Sequence, residues 1–164
     1  MIIHNWIIKD FEQYKGVVTE FFKRAYSRIY IFIDMWTSRN LLSLYGIVIH
    51  FIDDKGNYRT FLLSIPKLAG QHTGINIADG VAAILVEFNI GNKIGYFILD
   101  NVSNNDTCIE ALGKELGFNW KERQLWCAGH IINLMAYLIL YGKDIKALKD
   151  KLEKAKDKIK QLKL

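Results

Sequence analysis

A chain of 164 residues with 51% hydrophobic and 13% aromatic side chains can bury the core of one domain and is too apolar for disorder. No apolar run approaches the roughly 20 residues that a bilayer-spanning helix needs, and Met1–Trp6 lacks the basic start of a secretion signal, so an intracellular, soluble protein without a membrane partner is expected. The formal charge of +5 is local: residues 143–164 hold nine Lys and four acids, whereas residues 1–142 balance thirteen basic against thirteen acidic side chains.

In chain order, Ile7, Ile8, Phe11, Tyr14, Val17, Val18, Phe21, Phe22 and Ala25 recur near helical spacing and predict an amphipathic helix over 7–25 that packs on a core. Arg28–Asp34 reads as a first strand, Leu44–Phe51 as a second and Tyr58–Ile65 as a third. Asp53-Asp54-Lys55-Gly56-Asn57 forms a turn between the last two, and Pro66 closes the third. Short links make these three an antiparallel meander. The pattern then changes. Ile77–Phe88 carries a helical stripe ended by Gly91-Asn92, Lys93–Leu99 is a fourth strand, and Ser103–Gly117 is the second helix after the meander. Glu122–Cys127 is a short fifth strand, and Ala128–Tyr141 is a very apolar helix. A helical crossover after a meander sets the fourth strand parallel to the first and beside it.

Residues 1–142 thus form the expected domain and 143–164 a separate Lys-rich helix. In that tail Ile145, Leu148, Leu152, Ala155, Ile159 and Leu162 follow a heptad seam of barely three repeats, which suits a surface helix docking one stripe.

Two apolar strands run into acids: Ile29-Tyr30-Ile31-Phe32-Ile33 into Asp34, and Tyr96-Phe97-Ile98-Leu99 into Asp100. The carboxyl edge of an open α/β sheet is where sites usually form. Two carboxylates on one edge repel unless a cation neutralises them, and an oxygen-only pair suits Mg²⁺ or Mn²⁺. The competing explanation is that each aspartate caps the turn or helix that follows it.

Four blocks in order, Asp34-Met35-Trp36-Thr37-Ser38, His72-Thr73-Gly74, Asp100-Asn101-Val102-Ser103-Asn104-Asn105 and Cys127-Ala128-Gly129-His130-Ile131-Ile132-Asn133-Leu134, give a more specific pointer. Together they resemble the N-terminal part of the catalytic domain of hAT superfamily DNA transposases. The resemblance implies an α/β, ribonuclease H-like fold: a five-stranded mixed sheet with helices on both faces. It implies metal-dependent DNA strand cleavage and transfer, with DNA as partner, homo-oligomer formation open, and the nucleus as location. Asp34 matches the family's first catalytic acid and Asp100 the second, both metal ligands. His130 matches a residue near the active site, and His72 one without an assigned role. The family's third acid, a Glu after a long helical insertion, has no matching context here, since Glu153 lies in the heptad stretch. The frequent N-terminal zinc-binding module is also without a match. The resemblance therefore implies an incomplete copy, whose alternative function is that of a non-catalytic DNA- or protein-binding domain; a simple nuclease that completes its site with Glu87, Asp106 or Glu153 is a third.

Other residues are weaker candidates. Cys127 and His130 lack the further pair a structural zinc site needs. Two cysteines, Cys108 and Cys127, make no disulfide framework. Trp36 beside Asp34 could stack on a base, whereas Trp120 and Trp126 read as core. His72 and Lys67, with Arg39 and Arg123, are possible nucleic-acid contacts, and the lysine tail could bind DNA non-specifically through counterion release.

Overall fold

The computed structural model describes residues 2–68, 73–100 and 103–141, together with 150 and 153. The heptad tail and His72 therefore lie outside the described residues, apart from Asp150 and Glu153, which are helical and exposed. Among the described residues five strands form one sheet in the order β3-β2-β1-β4-β5. They are β1 (Ile29–Thr37), β2 (Ser43–Ile52), β3 (Tyr58–Ser64), β4 (Ile94–Leu99) and β5 (Gln124–Trp126). β1, β2 and β3 pair antiparallel as a meander, and β4 lies parallel to both β1 and β5. This is the mixed sheet of a ribonuclease H-like α/β fold.

Within the described residues up to 141, five helices accompany the sheet: α1 (Ile2–Lys23), α2 (Gly74–Glu87), α3 (Ser103–Leu116), the single turn α4 (Trp120–Arg123) and α5 (Ala128–Tyr141). A 3-10 turn at Gly91–Lys93 leads into β4. α4 has no counterpart in the hydrophobic pattern. It is a local device in which the Asn119 side chain accepts from the Lys121 N–H at 3.2 Å.

Strand alternation divides the sheet into two unlike faces. Ile29, Ile31 and Ile33 of β1, Tyr45, Ile47, Ile49 and Phe51 of β2, and Phe97 and Leu99 of β4 are buried, and α1, α2 and α3 contribute to the same core. Val81 and Leu85 come from α2, and Cys108, Ile109 and Leu112 from α3. The other face, with Tyr30, Phe32, Val48, Tyr96 and Ile98, is only half-buried. Tyr30 and Tyr96 stack there with ring centroids 6.0 Å apart.

α1 departs from expectation. Of the expected stripe from Ile7 to Ala25 only Val18 and Phe22 are buried, while Ile7, Phe11 and Tyr14 stay exposed, as do Ile3 and Trp6 before it. The reason is length. Twenty-two residues rise about 33 Å, whereas the seven residues of edge strand β3 span about 23 Å. The carboxyl half is anchored by Phe22 on Phe51 and Phe88, with ring centroids at 5.8 and 6.3 Å. Its last carbonyls, Phe22 O and Lys23 O, accept from Lys93 Nζ at 2.7 and 3.2 Å, which caps the helix end. α5 contributes no buried residue among those described, although it is the most apolar helix. No helix of the described residues is long and apolar enough to cross a membrane.

Candidate metal centre at the carboxyl edge of the sheet

The register of the two parallel strands brings the two sequence-predicted acids together. Phe32 of β1 pairs with Ile98 of β4, and Asp34 and Asp100 each lie two residues further on. Neighbouring strands run about 4.8 Å apart, and the alternation that puts Phe32 and Ile98 on the half-buried face puts both acids in line with them on that face. A bulge sets this row. From Ile29–Ile94 to Ile31–Phe97, β4 advances one residue more than β1, at Gly95 and Tyr96. Without that extra residue Asp34 would sit opposite Leu99, and Asp100 would belong to the other face. Gly95 is tight at the bulge, since an added Cβ would meet Arg28 Cβ at 3.1 Å and Ile29 O at 3.2 Å.

The two acids are not equivalent. β1 does not end at Asp34, as the sequence suggested, but runs on through Met35, Trp36 and Thr37, because β2 continues to pair with it as far as Ser43. No helix or turn begins at Asp34, so capping does not explain it, and its side chain is exposed on a strand. Asp100 does follow the end of its strand and is half-buried. Its carboxylate Oδ1 and its main-chain O both accept from Asn105 Nδ2, the latter at 3.0 Å. Asn105 stands in the first turn of α3 and is 4% exposed.

Trp36 stands on the same face as Asp34, 41% exposed. Gly46, the strand partner of Asp34, leaves room for its indole; a Cβ there would meet the ring at 3.3 Å. Lys67 forms a backbone bridge with Leu44, which itself pairs with Trp36. It is thus exposed at the same end of the sheet, two strand spacings or about 10 Å from β1. His130 stands in the first turn of α5, half-buried. The Cys127 N–H donates to Leu99 O at 2.7 Å, locking the start of the Cys127–His130 block beside the main chain that carries Asp100. Three of the four sequence blocks therefore converge on one edge. Of the fourth, Thr73 caps α2 by accepting from the Asn76 N–H at 3.3 Å.

Other candidates serve elsewhere. Arg123 is no free phosphate ligand: its Nη1 donates to Ile94 O at 2.7 Å and Gly95 O at 3.1 Å, at the start of β4 and so the opposite edge. Glu87 closes α2 at that far edge and pairs with Lys15 at 2.9 Å. Asp106 accepts from Gln124 Nε2 at 2.7 Å. Among the described residues no group of three His, Cys, Asp or Glu side chains is placed to hold a metal ion. Trp120 packs against the core, as expected. Asn105 and Gly74 were missed as partners of the site. The only signal in the sequence was the polar cluster after Asp100, which reads equally well as a turn.

The chain is similar to known proteins over the stretch that holds these residues. The model of the ZBED1 RNase-like domain family matches residues 32–131, which begins beside Asp34 and ends just past His130. The AC transposase of Zea mays is 32% identical over 124 residues, covering 70% of this chain and 15% of the relative. The AC9 transposase of Zea mays shows the same identity over the same length, with 14% of its own chain covered. A five-stranded mixed sheet carrying paired acids at its carboxyl edge defines a ribonuclease H-like domain. More narrowly, the chain belongs to the hAT transposase-derived family of such domains, and it spans about 15% of the length of the relatives it matches.

Proposed function

We propose that this domain acts on DNA as part of a cut-and-paste transposition apparatus in the nucleus, binding Mg²⁺ or Mn²⁺ between Asp34 and Asp100. The observation that carries this reading is the Phe32–Ile98 register of two adjoining parallel strands, with an acid two residues beyond each of these partners. Mg²⁺ is commonly held by one or two carboxylates, with waters and substrate phosphates completing its shell, so this donor set fits one such ion. A bound ion would supply activation of an attacking oxygen and charge stabilisation at phosphorus. The residues of the chain do the rest. Asp34 and Asp100 orient on the edge, Trp36 offers an exposed ring for a base displaced from its stack, and Lys67 adds a cation toward the backbone. His130, at the start of α5, would donate a hydrogen bond to a phosphate oxygen.

The non-catalytic reading, a DNA- or protein-binding domain descended from the same enzyme, is favoured by one observation: no third acid joins Asp34 and Asp100 among the described residues. Nicking of supercoiled DNA in Mg²⁺ or Mn²⁺ separates the two. Cleavage that is abolished by Asp100→Asn supports strand scission. No cleavage by the wild type, with DNA binding retained, supports the binding domain.

A further inference from the structure

We propose that Asn105 is the positioning residue of this site: a neutral clamp that fixes the Asp100 carboxylate while leaving its charge available to a cation. The inference rests on the metal reading of Asp34 and Asp100 given above. Asn105 is nearly fully buried, and a buried amide is costly unless it is hydrogen-bonded. Its Nδ2 meets that demand by donating to both the main-chain O and the carboxylate Oδ1 of one residue, Asp100. A single donor that bridges the backbone and the side chain of the same residue restricts the rotation of that side chain and leaves Oδ2 as the further acceptor.

The chain itself provides the contrast. Asp53 is also held in place, but by Arg59, whose guanidinium lies 2.7 Å from Oδ2 and cancels the charge. A carboxylate clamped that way has little left for a metal. An amide donates a hydrogen bond without a formal charge, so Asp100 stays an anion and stays oriented. Outer partners of this kind ordinarily set the affinity of metal ligands.

The clamp is itself held from behind. Gly74, the first residue of α2, lies against the first turn of α3. A Cβ at Gly74 would collide with Asn104 O, with Cys108 N at 2.7 Å and with Thr107 Cβ at 2.7 Å. Those residues flank Asn105 in the sequence, so the bare glycine backbone sets how deep the start of α3 sits and hence where the amide points from. The Thr73-Gly74 block is thereby tied to Asp100 without touching a substrate.

The test uses the whole 164-residue chain and two readouts. Binding of Mn²⁺ alone, followed by the electron paramagnetic resonance of free Mn²⁺, is expected to weaken about tenfold or more in Asn105→Leu, with the metal-free melting temperature kept within a few degrees. In nuclear magnetic resonance spectra, the Asn105 side-chain amide signals, assigned in the wild type by through-bond connection to the Asn105 backbone, are expected to move in Asp100→Ala. They are also expected to move on adding Mg²⁺ to the wild type. Mn²⁺ affinity within twofold of wild type in a folded Asn105→Leu overturns the proposal, as do amide signals unmoved by Asp100→Ala. If Asn105→Leu fails to fold, the response of that amide to Asp100→Ala decides. A wild type that binds no Mn²⁺, yet whose Asn105 amide responds to Asp100→Ala, upholds the clamp and defeats the metal reading alone.

Discussion

Asp53 keeps a charge inside the protein because donors converge on it. It is 1% exposed, and burial alone would raise its carboxyl. That effect is outweighed by the Asn57 N–H at 2.9 Å, the Arg59 guanidinium, the Asn57 amide and the Lys55 N–H at 3.0 Å, which together hold it well below the usual carboxylate range. The sign follows. The native carboxyl resists a proton that the unfolded chain accepts near its ordinary value of about 4, so this stabilisation is complete above that pH and is lost as pH falls below it. Asp53→Asn is expected to lower the melting temperature at pH 7 by roughly 5 °C or more, with the gap to wild type closing toward pH 3. A gap that stays constant from pH 7 to pH 3 would contradict the ionic origin. The sequence showed Asp53 only as one acid in a polar turn, because nothing local reveals that Arg59 on the returning strand reaches back to it.

Among the elements, the strands were the most legible, and for a physical reason. Ile29–Ile33, Leu44–Phe51 and Tyr96–Leu99 are buried on one face and half-buried on the other, which leaves little room for polar residues. Their order followed from the helical crossover. What periodicity could not reveal was how far an element is covered. The stripe of α1 is real, but its amino half has no sheet beneath it. β1 outlasts Asp34 because β2 keeps pairing, a non-local fact. The bulge at Gly95 and Tyr96, which decides whether the acids share a row, is equally invisible in a run of apolar residues. Arg123 illustrates the reverse error, a cation that looked available for phosphate but ties α4 to the first carbonyls of β4. Arg123→Gln is expected to cost about 1–3 kcal/mol in chemical denaturation, as for a hydrogen-bonded charged group, while DNA affinity per folded molecule is unchanged. Weaker DNA binding with unaltered stability would restore Arg123 as a phosphate contact.

At the scale of the molecule, the fold and family were legible because four short blocks keep their order, and the structure gathers at least three of them at one edge. The completeness of the site was not legible in the same way. In the proposed site Asp34 and Asp100 would supply two oxygen ligands and Asn105 would order one of them, and no third acid joins them among the described residues. The central claim is that the two acids act as one cation site, and a double-mutant cycle in Mn²⁺ affinity tests it most directly. Asp34→Asn and Asp100→Asn are each expected to weaken binding about tenfold or more, and the double variant to bind little worse than either, because the first loss already dismantles the shared site. Single variants that keep wild-type affinity, or losses that multiply in the double variant as for independent sites, would contradict it.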